Sequence, residues 1–361
     1  MKKLAAGGAL ILALAFGVSA CGAPPTPAGS GQPSSTYKAC LVSDTGGFSD
    51  KSFNEAAKKG VDQAVTELSL PKAIEIESKA EADYATNIAS LVKENCSLVI
   101  GVGYTLTSAI VDAAQKNPNS HFAIIDDNPA NLDPPVVLPN LKAIVFKTSD
   151  AGYLAGYAAA GYSKTGIVAT FGGVKLPTVT IFMDGFADGV AKYNADNGKS
   201  VKLLGWDKAA ESGSFADSFI DTAKGLTLAQ QFIDQGADVI MPVAGNVGNG
   251  AVGPAREKGA ALVWVDQDGY ISTQAGDLML TSVMKGIQPA VYNTIKQEVQ
   301  TGTFDAKPYI GTLANDGVGI APWHDFDSKL TPELKAQVDA LKAQIVAGTL
   351  KVVSKSDPVV G

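Results

Sequence analysis

The strongest constraint on this chain is its alternation of apolar runs and helical stretches. YKACLVSD, CSLVIGVG, HFAIIDD and LKAIVFKTS are strand-like in the first half, and TGIVATFGG, ADVIMPVAG, ALVWVDQD and DLMLTSVMKG in the second. Between them lie helix-period segments such as ATNIASLVKEN, TSAIVDAAQKN, AGYLAGYAAAGYS and GFADGVAKYNAD. Strand and helix in regular succession imply parallel sheets covered by helices on both faces. Near-continuous apolar strands fit burial on both faces. At 361 residues the chain exceeds one ordinary core, so two α/β lobes are expected.

A loose internal repeat supports two lobes. Residues 96–127 and 237–268 both run apolar strand, glycine turn, helix, loop, apolar strand and acidic end. Gly103 precedes Asp126 by 23 residues, and Gly245 precedes Asp266 by 21. Ligands of open α/β sheets bind beyond the carboxyl ends of the strands. Asp44, Gly103, Asp126, Gly245 and Asp266 all fall at such ends, so two facing lobes would line a cleft with them.

The N-terminus carries a different message. Lys2 and Lys3 precede an apolar stretch that closes on Val18-Ser19-Ala20-Cys21, which reads as a signal peptide over residues 1–20. The tail resembles a bacterial lipobox, in which the cysteine, here Cys21, becomes the lipidated first residue of the mature chain. The Pro-, Gly- and Ser-rich residues from there to 36 cannot bury a core and read as a tether. The membrane would then be met through the lipid alone. Net charge of −7 argues against nucleic acid and against electrostatic binding to anionic lipid. Arg256 is the only arginine, which leans towards a neutral ligand rather than a phosphate or carboxylate. Cys40 and Cys96 each open a strand-like run. They form either a disulfide, if those strands are neighbours, or two buried thiols.

Motifs for catalysis are missing. His121 and His324 are the only histidines, and neither has triad or metal-ligand spacing; no nucleophile elbow, zinc-protease motif or P-loop occurs, and no cofactor is implied. The stretch DTGGFSDKSFNEAAKKG, residues 44–60, is more informative. Ser52-x-x-Glu55 fits a capping box that starts a helix at Phe53, with Asp50 as a competing cap. Phe53 and Asn54 then sit in the first turn, beside Asp44. The ring either packs under a neighbouring loop or offers a face to a flat ligand, while Asp44 accepts hydrogen bonds and Gly46 and Gly47 allow close approach.

This stretch resembles the signature of the basic membrane lipoprotein family, bacterial ABC-transporter substrate-binding proteins that include purine nucleoside receptors. SLVIGVGY, FAIIDD, AGYLAGYAAA, FGGVKLPTV, GADVIMPVAGNVGNG, VWVDQD and LTSVMK continue the likeness in order over roughly residues 38–300. The resemblance implies a type I periplasmic-binding fold, two Rossmann-like lobes joined by crossover strands. It implies a purine held between two rings, Phe53 and Phe215, with Trp206 as the replacement if Phe215 faces inward. It also implies ligand contacts from Asp44, Asn54, Asp126, Gly245, Asp266 and Lys285, with Asp268 competing with Asp266.

The expected organisation is a first lobe of residues 37–147 plus about 280–305, and a second of 148–279 plus about 306–361. The expected function is a monomeric, lipid-anchored protein that passes a purine nucleoside to an ABC permease and its ATPase. A sensor of the same fold, an exported nucleoside-acting enzyme, or a receptor for another neutral solute such as a sugar are the alternatives.

Overall fold

The computed structural model describes residues 36–358. The expected signal peptide, Cys21 and all but the last residue of the tether lie outside the described residues. The first half alternates as expected: β1 (Ala39–Ser43), α1 (Phe53–Glu67), β2 (Ile74–Glu77), α2 (Tyr84–Lys93), β3 (Leu98–Val102), α3 (Thr107–Lys116), β4 (His121–Ile125) and β5 (Leu141–Phe146). The second half opens with α4 (Thr148–Tyr162), β6 (Ile167–Gly172), α5 (Pro177–Asn197), β7 (Lys202–Leu204) and a small hairpin of β8 (Trp206–Asp207) and β9 (Ser212–Gly213). It continues through α6 (Thr222–Asp234), β10 (Val239–Val243), α7 (Val252–Lys258), β11 (Ala261–Asp266), α8 (Gly269–Ser272), β12 (Met279–Lys285), α9 (Ile287–Thr301), β13 (Tyr309–Gly311), β14 (Val318–Ile320) and α10 (Pro332–Val346).

Two six-stranded sheets result, ordered β13-β5-β4-β3-β1-β2 and β14-β12-β11-β10-β6-β7. The first is parallel throughout, and in the second only β14 runs antiparallel to its neighbour. Parallel strands need both faces covered, and β1, β3, β10 and β11 are accordingly buried along their whole length. The sulfurs of Cys40 and Cys96 are bonded, tying the start of β1 to the turn before β3.

The chain crosses between lobes at Lys147, at Gly286 and between Gly311 and Val318. Lys147 N–H donates to the Gly311 carbonyl and Gly286 N–H to the Gly317 carbonyl, each at 2.8 Å, so the three crossovers are laced together. The second crossing falls later than the sequence suggested. β12, expected with the first lobe, lies in the second sheet, and only α9 returns to pack against α1. β13, expected with the second lobe, completes the edge of the first sheet. Single residues and three-residue edge strands mark these crossings, and neither leaves a periodic signal in the sequence. In the second lobe α4 is buried over Thr148–Ala160 because α5 lies almost in backbone contact with it. A Cβ on Gly156 would stand 2.1 Å from the Phe186 carbonyl oxygen, so only glycine permits that approach.

Candidate functional site

The carboxyl ends of both sheets face one another across a cavity lined from both lobes. On the first lobe, Asp44 directly succeeds β1 and its Oδ1 accepts from Gly46 N–H at 2.8 Å and Asn54 Nδ2 at 3.0 Å. Gly103 holds φ at +121°, and a Cβ there would meet Asp44 Oδ2 at 2.7 Å. The helix α1 begins at Phe53 as expected, but the cap differs. Asp50 accepts from the backbone N–H groups of Ser52, Asn54 and Glu55 at 3.0, 2.9 and 3.0 Å, filling the orphan donors of the first turn. Ser52 makes no capping bond. Its hydroxyl reaches across to the second lobe, donating to the Asp266 carboxylate and lying 3.3 Å from the Val265 carbonyl. Phe53 and the buried Asn54 both line the cavity. Asn54 Oδ1 accepts no hydrogen bond among the described residues.

Asp126, directly after β4, and Asp266, the last residue of β11, lie in the left-handed region, at φ of +73° and +67°. That matched backbone turns both carboxylates inward and is the structural form of the repeat. Between them lies the Lys285 ammonium, 2.5 Å from Asp126 Oδ2 and 4.0 Å from Asp266 Oδ1. The same ammonium stands 5.2, 5.9 and 4.9 Å from the ring centres of Phe53, Phe146 and Phe182. Cation–π attraction and two carboxylates thus share one buried charge. Burial pushes Asp44 up to about 6, against hydrogen bonds from Gly46 and Asn54. Burial likewise pushes Asp266 up to about 6, with Lys285 and Ser52 opposing. Asp126 and Asp50 are raised too, chiefly by burial. An acidic, partly desolvated lining with one shared cation suits a ligand rich in donors and poor in negative charge.

The second lobe supplies Phe219, Phe182, Leu176, Val179 and the turn Val243–Asn246, which includes Gly245. Phe215, the expected stacking residue, does not line the cavity. Its neighbours pair with Gly172 through Gly172 N–H to Ser214 O and Ala216 N–H to Gly172 O, both at 3.0 Å. This bridge fixes Phe215 as an edge residue, so its ring lies against Gly172 and edge-on to Trp206 at 6.0 Å. Trp206, the replacement, is also buried away from the cavity, donating its indole N–H to Asp184 at 2.9 Å. The ring that this segment turns to the cavity is Phe219, four residues further along, beside Phe182 of α5. Asp268 is diverted as well, accepting from Tyr270 N–H at 3.0 Å and lying 2.7 Å from His324 Nε2. Asp266 remains in the cavity.

Sequence reasoning missed Tyr104, Thr178, Phe182 and Asn246. Asn246 adjoins Gly245 and could have been read from strand-end position alone. Phe182 sits in α5, where buried residues succeed one another without a gap from Val179 to Phe186, so periodicity gives no facing direction.

Known proteins are similar to this chain. The family model described as "ABC transporter substrate-binding protein PnrA-like" matches residues 38–356. The chain is 31% identical to a CD4+ T-cell-stimulating antigen of Listeria innocua, over 98% of this chain and all of that one. It is 29% identical to the ABC transporter nucleoside-binding protein BmpA of Lactococcus lactis, over 98% of this chain and 99% of the relative. A solved ABC-transporter solute-binding protein from Aeropyrum pernix superposes with a TM-score of 0.78 at 23% identity, over 89% of this chain and 94% of that one, which supports the fold. With two largely parallel sheets, laced crossovers and a strand-end cleft in place, the chain belongs to the PnrA-like family of ABC-transporter substrate-binding proteins.

Proposed function

We propose that the cavity captures a purine nucleoside and that the protein delivers it to an ABC permease from a lipid anchor at Cys21. The observation that supports this reading is that Phe53 of the first lobe and Phe219 of the second line one cavity together with Asp44, Asp126 and Asp266. A flat heteroaromatic base suits two ring faces. Ribose hydroxyls and base N–H groups are donors, and carboxylates are the acceptors that match them. The Lactococcus relative, named as a nucleoside-binding protein, points the same way.

The mechanism needs no bond making. The ligand bridges the lobes about the three crossovers, and closure creates the shape the permease recognises. Selectivity comes from cost: a ligand without the matching hydroxyl leaves a buried carboxylate unpaired. A 5′-phosphate would enter a lining whose one cation is already shared between Asp126 and Asp266. Calorimetric titration of the purified protein tests the reading. Inosine, guanosine or adenosine should bind with one-to-one stoichiometry, while the monophosphates and free ribose bind far more weakly. Failure of every nucleoside to bind removes the proposal.

A further inference from the structure

The lobes touch at a second place, outside the cavity. The short segment Lys51-Ser52, between β1 and α1, points its carbonyl groups at the second lobe. Trp264 Nε1 and Ser272 Oγ both donate to the Lys51 carbonyl at 3.2 Å. Gln267 Nε2 donates to the Ser52 carbonyl at 2.7 Å, and Gln267 Oε1 accepts from Lys59 Nζ at 2.6 Å. The Ser52 hydroxyl, bonded to Asp266, completes the corner.

The backbone is shaped for this contact. Lys51 holds φ at +60°, unusual for a residue with a side chain, and its ammonium is tied back to Glu55 at 3.2 Å. Trp264, Gln267 and Ser272, from β11, the turn after it and α8 of the second lobe, donate to main-chain carbonyls of the first, while Lys59 and Ser52 of the first lobe donate back to Gln267 and Asp266. Gln267 engages both a carbonyl and an ammonium of the first lobe, yet it lies outside the lining of the cavity.

We propose that this corner is a ligand-independent clasp, and that Gln267 is a positioning residue that holds the binding cleft closed without touching the solute. An opening of the lobes must break these bonds and leave the Trp264 indole N–H without its Lys51 acceptor. Part of the free energy of closure is therefore built into the protein. A ligand that finds the lobes already biased towards closure binds more tightly, and it leaves more slowly because the clasp must release first. The affinity of every ligand is raised by the same factor, because the clasp reads none of them. The clasp meets the cavity lining where the Ser52 hydroxyl reaches Val265 and Asp266, and Gln267 itself does not line it, so the strength of binding and the choice of ligand are separable properties here.

The proposal rests on the nucleoside reading only for its kinetic arm. Small-angle X-ray scattering of the ligand-free native protein and of Gln267→Ala measures closure directly. The radius of gyration should rise in the variant. With inosine, guanosine and adenosine as probes, stopped-flow dissociation should be about tenfold faster, the loss expected for two hydrogen bonds. The ratios between the three affinities should stay as in the native protein. Gln267→Glu, which keeps the Lys59 partner but sets a carboxylate against the Ser52 carbonyl, should open the lobes as well. Ser272→Ala removes one donor to Lys51 and serves if either variant fails to fold. Ligand-free scattering curves that coincide with native for all folded variants would overturn the clasp, whatever happens to affinity. If no nucleoside binds, the function above fails while the scattering still decides the clasp.

Discussion

Phe215 and Phe219 lie four residues apart and should behave oppositely when each is truncated to alanine. Phe219 lines the cavity, with its ring near Gly173 and Gly245 at the rim. Stacking of a base on an aromatic face contributes about 1–3 kcal/mol by alanine substitution, so Phe219→Ala should weaken nucleoside binding by roughly 5- to 150-fold. Its cost to stability should be small, because the ring is half-buried at a surface the cleft leaves open. Phe215 is edge-on to Trp206 and seated on Gly172, inside the second lobe. An aromatic pair adds about 0.5–1.5 kcal/mol beyond burial, and partial burial of the ring brings the loss for Phe215→Ala to about 2 kcal/mol. Its melting temperature should fall by a few degrees while affinity stays within about twofold at temperatures where the variant is folded. Calorimetric titration and thermal unfolding on the same samples separate the two effects. If Phe215→Ala loses more affinity than Phe219→Ala, the wall of the cavity has been assigned to the wrong residue.

The buried charges give two further outcomes. Asp44 and Asp266 are each raised to about 6 by burial, so each contributes stability that is full below the usual carboxylate range and is lost as pH rises through about 6. Ligand donors need the ionised form, so affinity should move the other way and decline as pH falls below about 6. Asp44→Asn with Asp266→Asn should flatten the variant's own pH profile, so the native-minus-variant difference in a pH series of melting curves should change between the usual carboxylate range and about 6, and a difference that stays constant with pH contradicts the assignment. Lys285→Met leaves Asp126 and Asp266 without their shared cation and should cost about 3–5 kcal/mol in denaturant unfolding. Adding Asp126→Asn should recover part of that loss, and a Lys285→Met protein as stable as native contradicts the pairing.

Strand ends are the most legible feature of the sequence. The spacing of Gly103 to Asp126 and of Gly245 to Asp266 corresponds to paired positive-φ positions in the two lobes, because a strand end must turn before its helix begins. The start of α1 at Phe53 was legible for the same local reason. Its cap was not, since the Ser52 hydroxyl is drawn to Asp266, 214 residues away, and Asp50 takes over the helix donors. Phe215 and Phe219 could not be told apart because their directions are set by a bridge to Gly172 in another strand. Long-range partners decide these cases, and a single sequence shows no partner. The late crossover at Gly286 belongs to the same class: the apolar run of β12 fits either sheet, and only its neighbours β11 and β14 choose between them.

The edge strand β13 has a consequence for how the molecule is made. The first sheet ends on residues Tyr309–Gly311, and α1 is covered by α9 from residues 287–301. A chain that emerges N-terminus first therefore cannot complete its first lobe until most of the second has also emerged. The half-built lobe would show an unpaired β5 edge and the bare face of α1 for that whole interval, the kind of surface that holdase chaperones bind. Neither lobe is a contiguous piece of chain, so neither can be cut out and expressed alone. Pairing across such long separations also slows folding. The lacing that couples the lobes in the finished protein is thus what keeps the growing one open.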